Sequence, residues 1–275
     1  RWIKFSSGGQ IEGMEIQLAS HPVSVASELS ERLWARCAGA VLTSATVSVG
    51  GDFSVYRSKS GIDPGETFLS LPSPFRFEEQ GVLRVPQMNT TPSDADAHSQ
   101  ELTVIIPEIL AEDQSALVLF TSWRQMLRVF DDLEENFRSL VLMQGDLSRH
   151  EILNRHRNRI DAGEASYIFG LTRFSEGIDL PGKYCCHVVI TKLPFSVPDD
   201  PVDATLAEWI NSRGGNSFYD LMLPNTALRV IQAAGRLLRT ETDSGVVSIL
   251  DRRLLTKSYG KVILTALPPF RREFH

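Results

Sequence analysis

Residues 116–120 (ALVLF) form an unbroken apolar run that Thr121 and Ser122 end abruptly. A run of this length between polar residues is typical of a strand that is buried on both faces. Helical spacing of apolar residues begins just after it, at position 124, and continues to position 137. This strand, polar turn and helix set the pattern for the rest of the chain.

The same pattern recurs towards the C-terminus. Further apolar strands are predicted at residues 140–143, 167–170, 186–190 and 246–250. Further helices are predicted at residues 97–111, 148–162, 202–211 and 227–238. Strands that alternate with helices in this way predict an α/β fold, in which helices cover a parallel sheet on both faces.

The first part of the chain has a different pattern. Residues 1–20 alternate apolar and polar side chains in two pieces joined by Gly8 and Gly9, which predicts a hairpin or two neighbouring strands. A helix is predicted at 25–37 with Ser24 or Ser27 as its N-cap, and a short buried strand is predicted at 40–46. Residues 50–92 are rich in proline and glycine, so we predict a domain boundary near residues 73–75.

Polar side chains follow three of the predicted strands. They lie at 121–122 (TS), at 144–146 (QGD) and at 175–179 (SEGID). Taken singly, each could be an ordinary turn, since glycine and aspartate are turn formers. Because the carboxyl ends of parallel strands share one edge of a sheet and ligands bind there, their succession predicts a binding site.

A glutamine and two arginines recur with helical spacing near the C-terminus. Gln232, Arg236 and Arg239 are four and three residues apart, which predicts one helix face. Gly235 beside them lets a partner approach the backbone closely. Guanidinium groups bind phosphate oxygens in pairs, so this face is a candidate polyanion site; a solvated basic face is the alternative.

Composition narrows the class of protein. With 42% hydrophobic and 23% charged residues, the 275-residue chain has the composition of a globular protein. Its net charge of −6 is uneven: residues 91–135 hold ten acids and two arginines, whereas residues 225–275 hold nine basic residues and four acids. A polyanion should therefore meet the C-terminal part.

Cysteine use and the ends of the chain bear on its setting. Three cysteines without a C-x-x-C pair fit a reducing cytosol and predict no metal site. No apolar run is long enough to span a membrane, and no signal peptide opens the sequence. The first residue is Arg1 rather than methionine, which favours a piece of a longer protein.

Several stretches resemble the helicase motifs of superfamily two, in family order. Residues 43–46 (TSAT) are similar to motif III, 119–123 (LFTSW) to motif IV, 170–181 to motif V and 232–239 (QAAGRLLR) to motif VI. Residues 73–75 (SPF), 192–195 (KLPF) and 251–254 (DRRL) narrow the resemblance to the XPD-like branch and its bacterial DinG type, with the YoaA type second.

The resemblance implies an activity and two domains. The family couples ATP hydrolysis to 5′-to-3′ movement on single-stranded DNA, with two RecA-like domains around the nucleotide. Residues 1–72 would hold the last part of the first domain with motif III and a linker, and 73–275 the second domain with motifs IV to VI. Forked or damaged DNA and replication or clamp-loader proteins would be partners, in the bacterial cytoplasm at the nucleoid, with no membrane.

The resemblance also implies residue roles. Arg236 and Arg239 would reach the γ-phosphate, and Gln232 would hold them. The nucleotide-binding residues would be Glu176, Gly177, Asp179 and Gly235. The DNA-binding residues would be Ser44, Thr46, Thr121, Ser122, Ser175 and Arg149.

The family motifs that are missing set further expectations. The sequence has no G-x-x-x-x-G-K-[ST] loop, no D-E-A-H box and no set of four cysteines for the family's iron–sulfur cluster. In family order these features precede motif III. We therefore expect ATP and Mg²⁺ to be bound mainly upstream, the cluster to lie only upstream, and the chain alone to be inactive.

Two other interpretations stay open. One is a catalytically inactive module that binds single-stranded DNA or a partner protein. The other is a nucleotide-binding domain unrelated to DNA, for which the basic C-terminus is only solvated.

Overall fold

The computed structural model describes residues 2–7, 14–44, 46–48, 51–196 and 201–274. Its strands are β1 (Trp2–Ser7), β2 (Met14–Ala19), β3 (Gly81–Val85), β4 (Ser115–Phe120), β5 (Val141–Met143), β6 (Ser166–Leu171), β7 (His187–Ile190), β8 (Gly245–Ile249) and β9 (Arg271–Phe274). Its helices are α1 (Ala26–Arg32), α2 (Ser54–Ser60), α3 (Phe77–Gln80), α4 (Ala95–Ile109), α5 (Trp123–Asp132), α6 (Glu135–Arg138), α7 (Arg149–Asp161), α8 (Pro201–Ser212), α9 (Leu223–Ala234), α10 (Arg253–Thr256) and α11 (Gly260–Ala266).

The chain divides into two compact units. One comprises residues 1–70 and 195–224, and the other comprises residues 71–194 and 225–275. The second unit holds a seven-stranded sheet of order β5-β6-β4-β7-β8-β3-β9, and every pair of neighbours in it is parallel. The predicted α/β fold with a parallel sheet is therefore confirmed. The assignment of RecA-like domains on either side of residue 72 stays a prediction.

The core of the second unit forms where apolar strands meet the apolar faces of helices. All six residues of β4 are buried, as expected for a strand with a sheet neighbour on each side and helices above and below. Leu102 of α4 and Met126 of α5 are fully buried in one cluster with Phe120 and Phe169. Polar N-caps fix where these helices begin; the Ser122 hydroxyl, for example, accepts a hydrogen bond from Gln125 N at 3.4 Å.

Two strands of this sheet are not predicted by the sequence. β3 lies in a stretch rich in proline, and its alternating burial includes Arg84, which pairs with Glu273 of β9 at 3.1 Å. β9 is four residues long, and three of them are charged. Neither strand has the solid apolar run that identifies a buried strand, because each carries charged residues: Arg84 of β3 pairs with Glu273 of the edge strand β9.

Two predicted helices are broken. Residues 25–37 form α1, which ends at Arg32, and a separate 3-10 turn at Trp34–Arg36. Residues 124–137 form α5 and α6 because Leu133 leaves the helix in an extended conformation and buries its side chain in the core.

In the first unit, the predicted strand pair is confirmed and two other predictions are wrong. β1 and β2 pair in an antiparallel register from Trp2↔Ala19 to Ser7↔Met14, and the predicted Gly8–Gly9 connection lies outside the described residues. The N-cap of α1 is Val25, although the Ser24 hydroxyl accepts a bond from Ala26 N at 3.3 Å.

The predicted strand at residues 40–46 is the second of these errors. Residues 40–44 are exposed and irregular, and Ala45 lies outside the described residues. None of the described strands pairs with this stretch, and an apolar run without a sheet neighbour cannot satisfy the hydrogen bonds of its backbone in a buried strand.

No helix in the described ranges has the length and apolar character needed to cross a membrane.

Candidate functional site

The loops after β4, β5 and β6 are tied together at the carboxyl edge of the sheet. Gln144 donates its backbone N–H to Phe169 O at 2.8 Å, and its side-chain oxygen accepts from Leu171 N at 2.8 Å. The Thr172 hydroxyl donates to Phe120 O at 3.2 Å. The predicted crowding of polar residues at one edge is thus present around Thr121, Ser122 and Gln144, as parallel topology requires.

Helix α7 reaches the loop at residues 176–179 with two arginines. Arg149 Nη1 donates to Glu176 O at 2.9 Å, and its guanidinium lies 5.2 Å from the centre of the Phe174 ring. Arg157 Nη2 donates to Asp179 O at 2.8 Å. These guanidinium groups bind backbone oxygens and so fix the course of the loop.

The predicted arginine pair reaches the same loop from the end of α9. Arg236 Nη1 donates to Ile178 O at 3.0 Å. Arg239 binds the Asp179 carboxylate, with Nε at 3.0 Å and Nη2 at 2.9 Å from the same oxygen, Oδ1. Residues 176–179 are therefore held by guanidinium groups from two separate segments, helix α7 and the turn after α9.

The prediction that Gln232, Arg236 and Arg239 share one helix face is wrong. Helix α9 ends at Ala234, and the chain then tightens, with Arg236 N bonded to Ala233 O at 3.1 Å. Leu237 and Leu238, which follow the end of the helix, have buried side chains. Arg236 and Arg239 meet because each contacts the loop at 176–179, while Gln232 is exposed on the last turn of α9.

The electrostatics of this cluster suit an anion. Burial, and next to it the charge of Arg239, lowers the pKa of Arg236, while Glu176 and Asp179 oppose that shift. Arg236 Nε is buried and has no hydrogen-bond partner among the described residues. A buried guanidinium N–H of this kind needs an acceptor, and a phosphate oxygen is a suitable one.

The remaining predicted residues lie partly in the second unit and partly in the first. Ser122 caps α5, and Ser175 is buried, with its hydroxyl donating to Thr172 O at 2.7 Å. Gly177 has φ +75°, a conformation that favours glycine, and Gly235 is exposed just beyond α9. In the first unit, Ser44 Oγ lies 3.2 Å from Thr46 Oγ1.

Two further residues belong to this cluster that the sequence does not single out as nucleotide-site residues. Arg157 holds Asp179 O, and Asp243 accepts a bond from Arg239 N at 2.7 Å. In the sequence, Arg157 is noticeable only as one of several arginines in a predicted helix. Asp243 is noticeable only as an aspartate in a predicted turn, four residues after Arg239. Neither pattern names a partner before the fold is known.

The three cysteines are free thiols: Cys37 is exposed, Cys186 is half-buried and Cys185 is buried. Burial, and next to it Cys186, raises the pKa of the Cys185 thiol to about 12. No group of three or more His, Cys, Asp or Glu side chains in the described ranges could hold a metal ion.

Comparison with protein families and relatives gives a consistent result. The family model for the helicase C-terminal domain matches residues 106–270. The ATP-dependent DNA helicase DinG of Photobacterium profundum is 39% identical over 99% of this chain and 40% of its own length. The protein of the same name from Escherichia coli (strain K12) is 37% identical over 90% of this chain and 35% of its own length. The chain thus spans well under half the length of these relatives.

Solved structures agree on the fold. A structure titled XPD_Helicase has a TM-score of 0.54 at 17% identity and covers 70% of this chain and 36% of its own. A second, titled XPD_APO, has a TM-score of 0.54 at 20% identity and covers 70% of this chain and 39% of its own. The chain is similar in sequence to the DinG helicases and in fold to the XPD structures, and it belongs to the helicase C-terminal domain family.

Proposed function

We propose that this chain supplies motifs IV to VI and the arginine fingers of an ATP-dependent DNA helicase that moves 5′ to 3′ on single-stranded DNA. Residues 1–72 are the last part of the first RecA-like domain with its linker, and residues 73–275 are the second RecA-like domain. The phosphate loop, the Mg²⁺-binding carboxylate and the iron–sulfur cluster belong to other parts of the full-length protein. The isolated chain is then inactive as an ATPase.

The convergence of Arg236 and Arg239 on residues 176–179 carries this proposal. Their guanidinium groups are close enough for the charge of Arg239 to lower the pKa of Arg236, and Arg236 Nε is buried without a partner among the described residues. Two like charges held together in this way are stabilised by an anion between them. The γ-phosphate of ATP is such an anion, and its charge in the transition state must be neutralised.

The other candidate residues take supporting roles. Gln232, Glu176, Gly177, Asp179 and Gly235 are proposed to bind the nucleotide. Thr121, Ser122, Ser175 and Arg149 of the second unit are proposed to contact DNA, with Ser122 and Ser175 acting through the backbone turns that their hydroxyls fix. Ser44 and Thr46 of the first unit are proposed, independently, to contact DNA as well. Forked or damaged DNA and replication or clamp-loader proteins are the proposed partners, with the protein acting in the cytoplasm at the nucleoid.

The test is Arg236→Ala in the full-length helicase. The expected result is a loss of about 10³- to 10⁵-fold in single-turnover ATP hydrolysis, because a finger arginine stabilises charge that develops only in the transition state. ATP affinity stays within about threefold, since the phosphate loop and Mg²⁺ supply most of the binding energy. Arg236→Lys rescues poorly because lysine lacks the planar fork.

Arg271→Ala is the matched control for this experiment. It removes an arginine whose side chain is 64% exposed, in the edge strand β9, and hydrolysis should keep its normal rate. A structural role for Arg236 would instead lower the melting temperature and reduce ATP affinity together with the rate.

The DNA side has its own test. Binding of a fluorescent single-stranded oligonucleotide should weaken steeply as salt increases, because basic residues release counterions from the phosphates. Arg149→Ala should reduce that salt slope, with Arg271→Ala again as the control. Affinity that does not change with salt would argue against phosphate contacts and favour the nucleotide-binding domain unrelated to DNA.

A further inference from the structure

The turn at residues 239–243, which follows the arginine pair, is built around one buried carboxylate. Asp243 is 3% exposed, and its Oδ2 accepts from Arg239 N at 2.7 Å and from Thr240 N at 2.9 Å. The position of the Arg239 backbone is therefore fixed by hydrogen bonding, although the Arg239 side chain lies at the surface.

The second carboxylate oxygen of Asp243 binds the segment that follows Asp179. Asp243 Oδ1 accepts from Gly182 N at 3.1 Å and from the Thr240 hydroxyl. Gly182 lies three residues after Asp179, the partner of the Arg239 guanidinium. One carboxylate thus holds the backbone of Arg239 and the backbone that leads away from the partner of Arg239.

The turn is also anchored from outside. Gln80, the last residue of α3, donates its side-chain amide to Asp243 O at 2.9 Å and to Glu241 O at 2.8 Å. β3 follows Gln80 directly, so the turn is fastened to the sheet. A buried carboxylate with four donors on its two oxygens leaves little freedom to the groups that it binds.

Among the described residues, the donors to Asp243 are backbone N–H groups and one hydroxyl, with no guanidinium or ammonium group. Burial by itself raises the pKa of this carboxyl, but the hydrogen bonds from Thr240, Arg239 and Gly182 outweigh it and hold the pKa below the usual value of 3.8. The Arg239 guanidinium binds Asp179 instead. The Asp243 carboxylate therefore orients backbone N–H groups and forms no ion pair with the Arg239 guanidinium.

We propose that Asp243 is the positioning residue for Arg239: it sets the backbone from which the guanidinium reaches the nucleotide. This inference rests on the proposed function, because it assigns Asp243 a share in hydrolysis only through Arg239.

The test is Asp243→Asn in the full-length helicase. An asparagine keeps one oxygen but turns an NH₂ group towards the two donors that the other oxygen had bound, so one side of the turn is released. We expect kcat for DNA-stimulated hydrolysis to fall about 10- to 100-fold, since small misplacements of a catalytic group have effects of that size. KM for ATP should change by less than about threefold.

Glu241→Gln is the matched control. It removes one negative charge from the same turn, two residues away, at an exposed side chain. Because Glu241 contributes only its backbone oxygen to Gln80, we expect kcat to stay within about twofold of the parent value, well inside the kinetic effect expected for Asp243.

A double mutant separates positioning from a general structural role. If Asp243 acts through Arg239, Asp243→Asn should change the slow single-turnover rate by less than about twofold in an Arg239→Ala background. An equal factor in both backgrounds, with a lower melting temperature in both, would overturn the positioning role. A normal rate in Arg239→Ala itself would instead remove the proposed function, so the two failures are distinguishable.

A milder variant covers the case in which Asp243→Asn does not fold. Thr240→Val removes only the hydroxyl donor to Asp243 Oδ1. A drop in kcat that disappears in the Arg239→Ala background supports the positioning role. A normal kcat, or the same drop in both backgrounds, overturns it.

Discussion

Two aspartate–arginine pairs in the second unit have the same chemistry and opposite surroundings. Asp251 is fully buried and binds Arg253 at 2.7 Å, and the Arg253 side chain is 24% exposed. Asp179 binds Arg239 at 2.9 Å, but their side chains are 65% and 36% exposed. The first pair is enclosed by protein, and the second lies open at the loop that the arginine cluster surrounds.

The difference in burial indicates which of the two ion pairs costs less free energy to break. Both oxygens of Asp251 are used: they accept from Leu193 N at 2.9 Å, from Arg253 N at 3.0 Å and from the Arg253 guanidinium. Releasing Arg253 would leave a buried charge without its cation, which is costly. Releasing Arg239 leaves Asp179 in water, where an exposed pair contributes little. We therefore expect Arg239, and not Arg253, to exchange its partner for a phosphate group.

The largest expected effect on stability is at the buried pair. Arg253→Ala should destabilise the chain by about 3–5 kcal/mol, because the Asp251 carboxylate is left buried and uncompensated. Thermal melting of the purified chain measures it. The control is the neighbour Arg252→Ala, which loses one bond to Asn89 O and should cost about 1 kcal/mol. Equal effects of the two substitutions would contradict the contrast drawn between the pairs.

An intermediate effect is expected at Asp243, which is buried like Asp251 but has no cation on it. Asp243→Asn should cost about 1–3 kcal/mol at neutral pH, because buried donors lose their acceptor. The pKa of Asp243 is held below 3.8, so its contribution is present above 3.8 and is lost as pH falls through the lower pKa of the folded state. The stability difference between parent and variant should therefore shrink in denaturant titrations below about pH 4. If the difference in free energy of unfolding between parent and variant grew at acid pH, the predicted direction of the pH dependence would be wrong.

The smallest effect on stability is expected at the open pair. Arg239→Ala should change stability by at most about 1 kcal/mol, and high salt should reduce even that difference. Melting curves at low and high salt measure it, with Arg253→Ala alongside, whose larger effect should persist in salt. A large loss of stability in Arg239→Ala that salt does not change would show that Arg239, like Arg253, has a mainly structural role.

The sequence predicts the parts of this fold that have solid apolar runs. β4, β6, β7 and β8 are found where the runs predicted them, because burial on both faces leaves a pattern that local sequence alone displays. β3 and β9 depend on the pairing of Arg84 with Glu273, a contact between residues 189 positions apart that no local pattern reveals. The stretch 40–44 shows the opposite case, since its apolar run has no neighbouring strand among those described.

The candidate site was predictable as a set of residues but not as a geometry. Arg236, Arg239 and Asp179 were identified by spacing and by resemblance, and they do meet. They meet through a tightened turn after Ala234, and not on the helix face that the spacing predicted. Asp243 escaped notice because its importance depends on Gly182, 61 residues away.

The most direct test of the central claim is single-turnover hydrolysis by the Arg236→Ala and Arg239→Ala double mutant of the full-length helicase, with melting and ATP affinity measured on the same preparation. We predict a loss of at least about 10³-fold in rate, with ATP affinity within about threefold and a melting temperature close to that of the parent protein. A well-folded double mutant that hydrolyses ATP at the normal rate would contradict the assignment of these arginines as fingers.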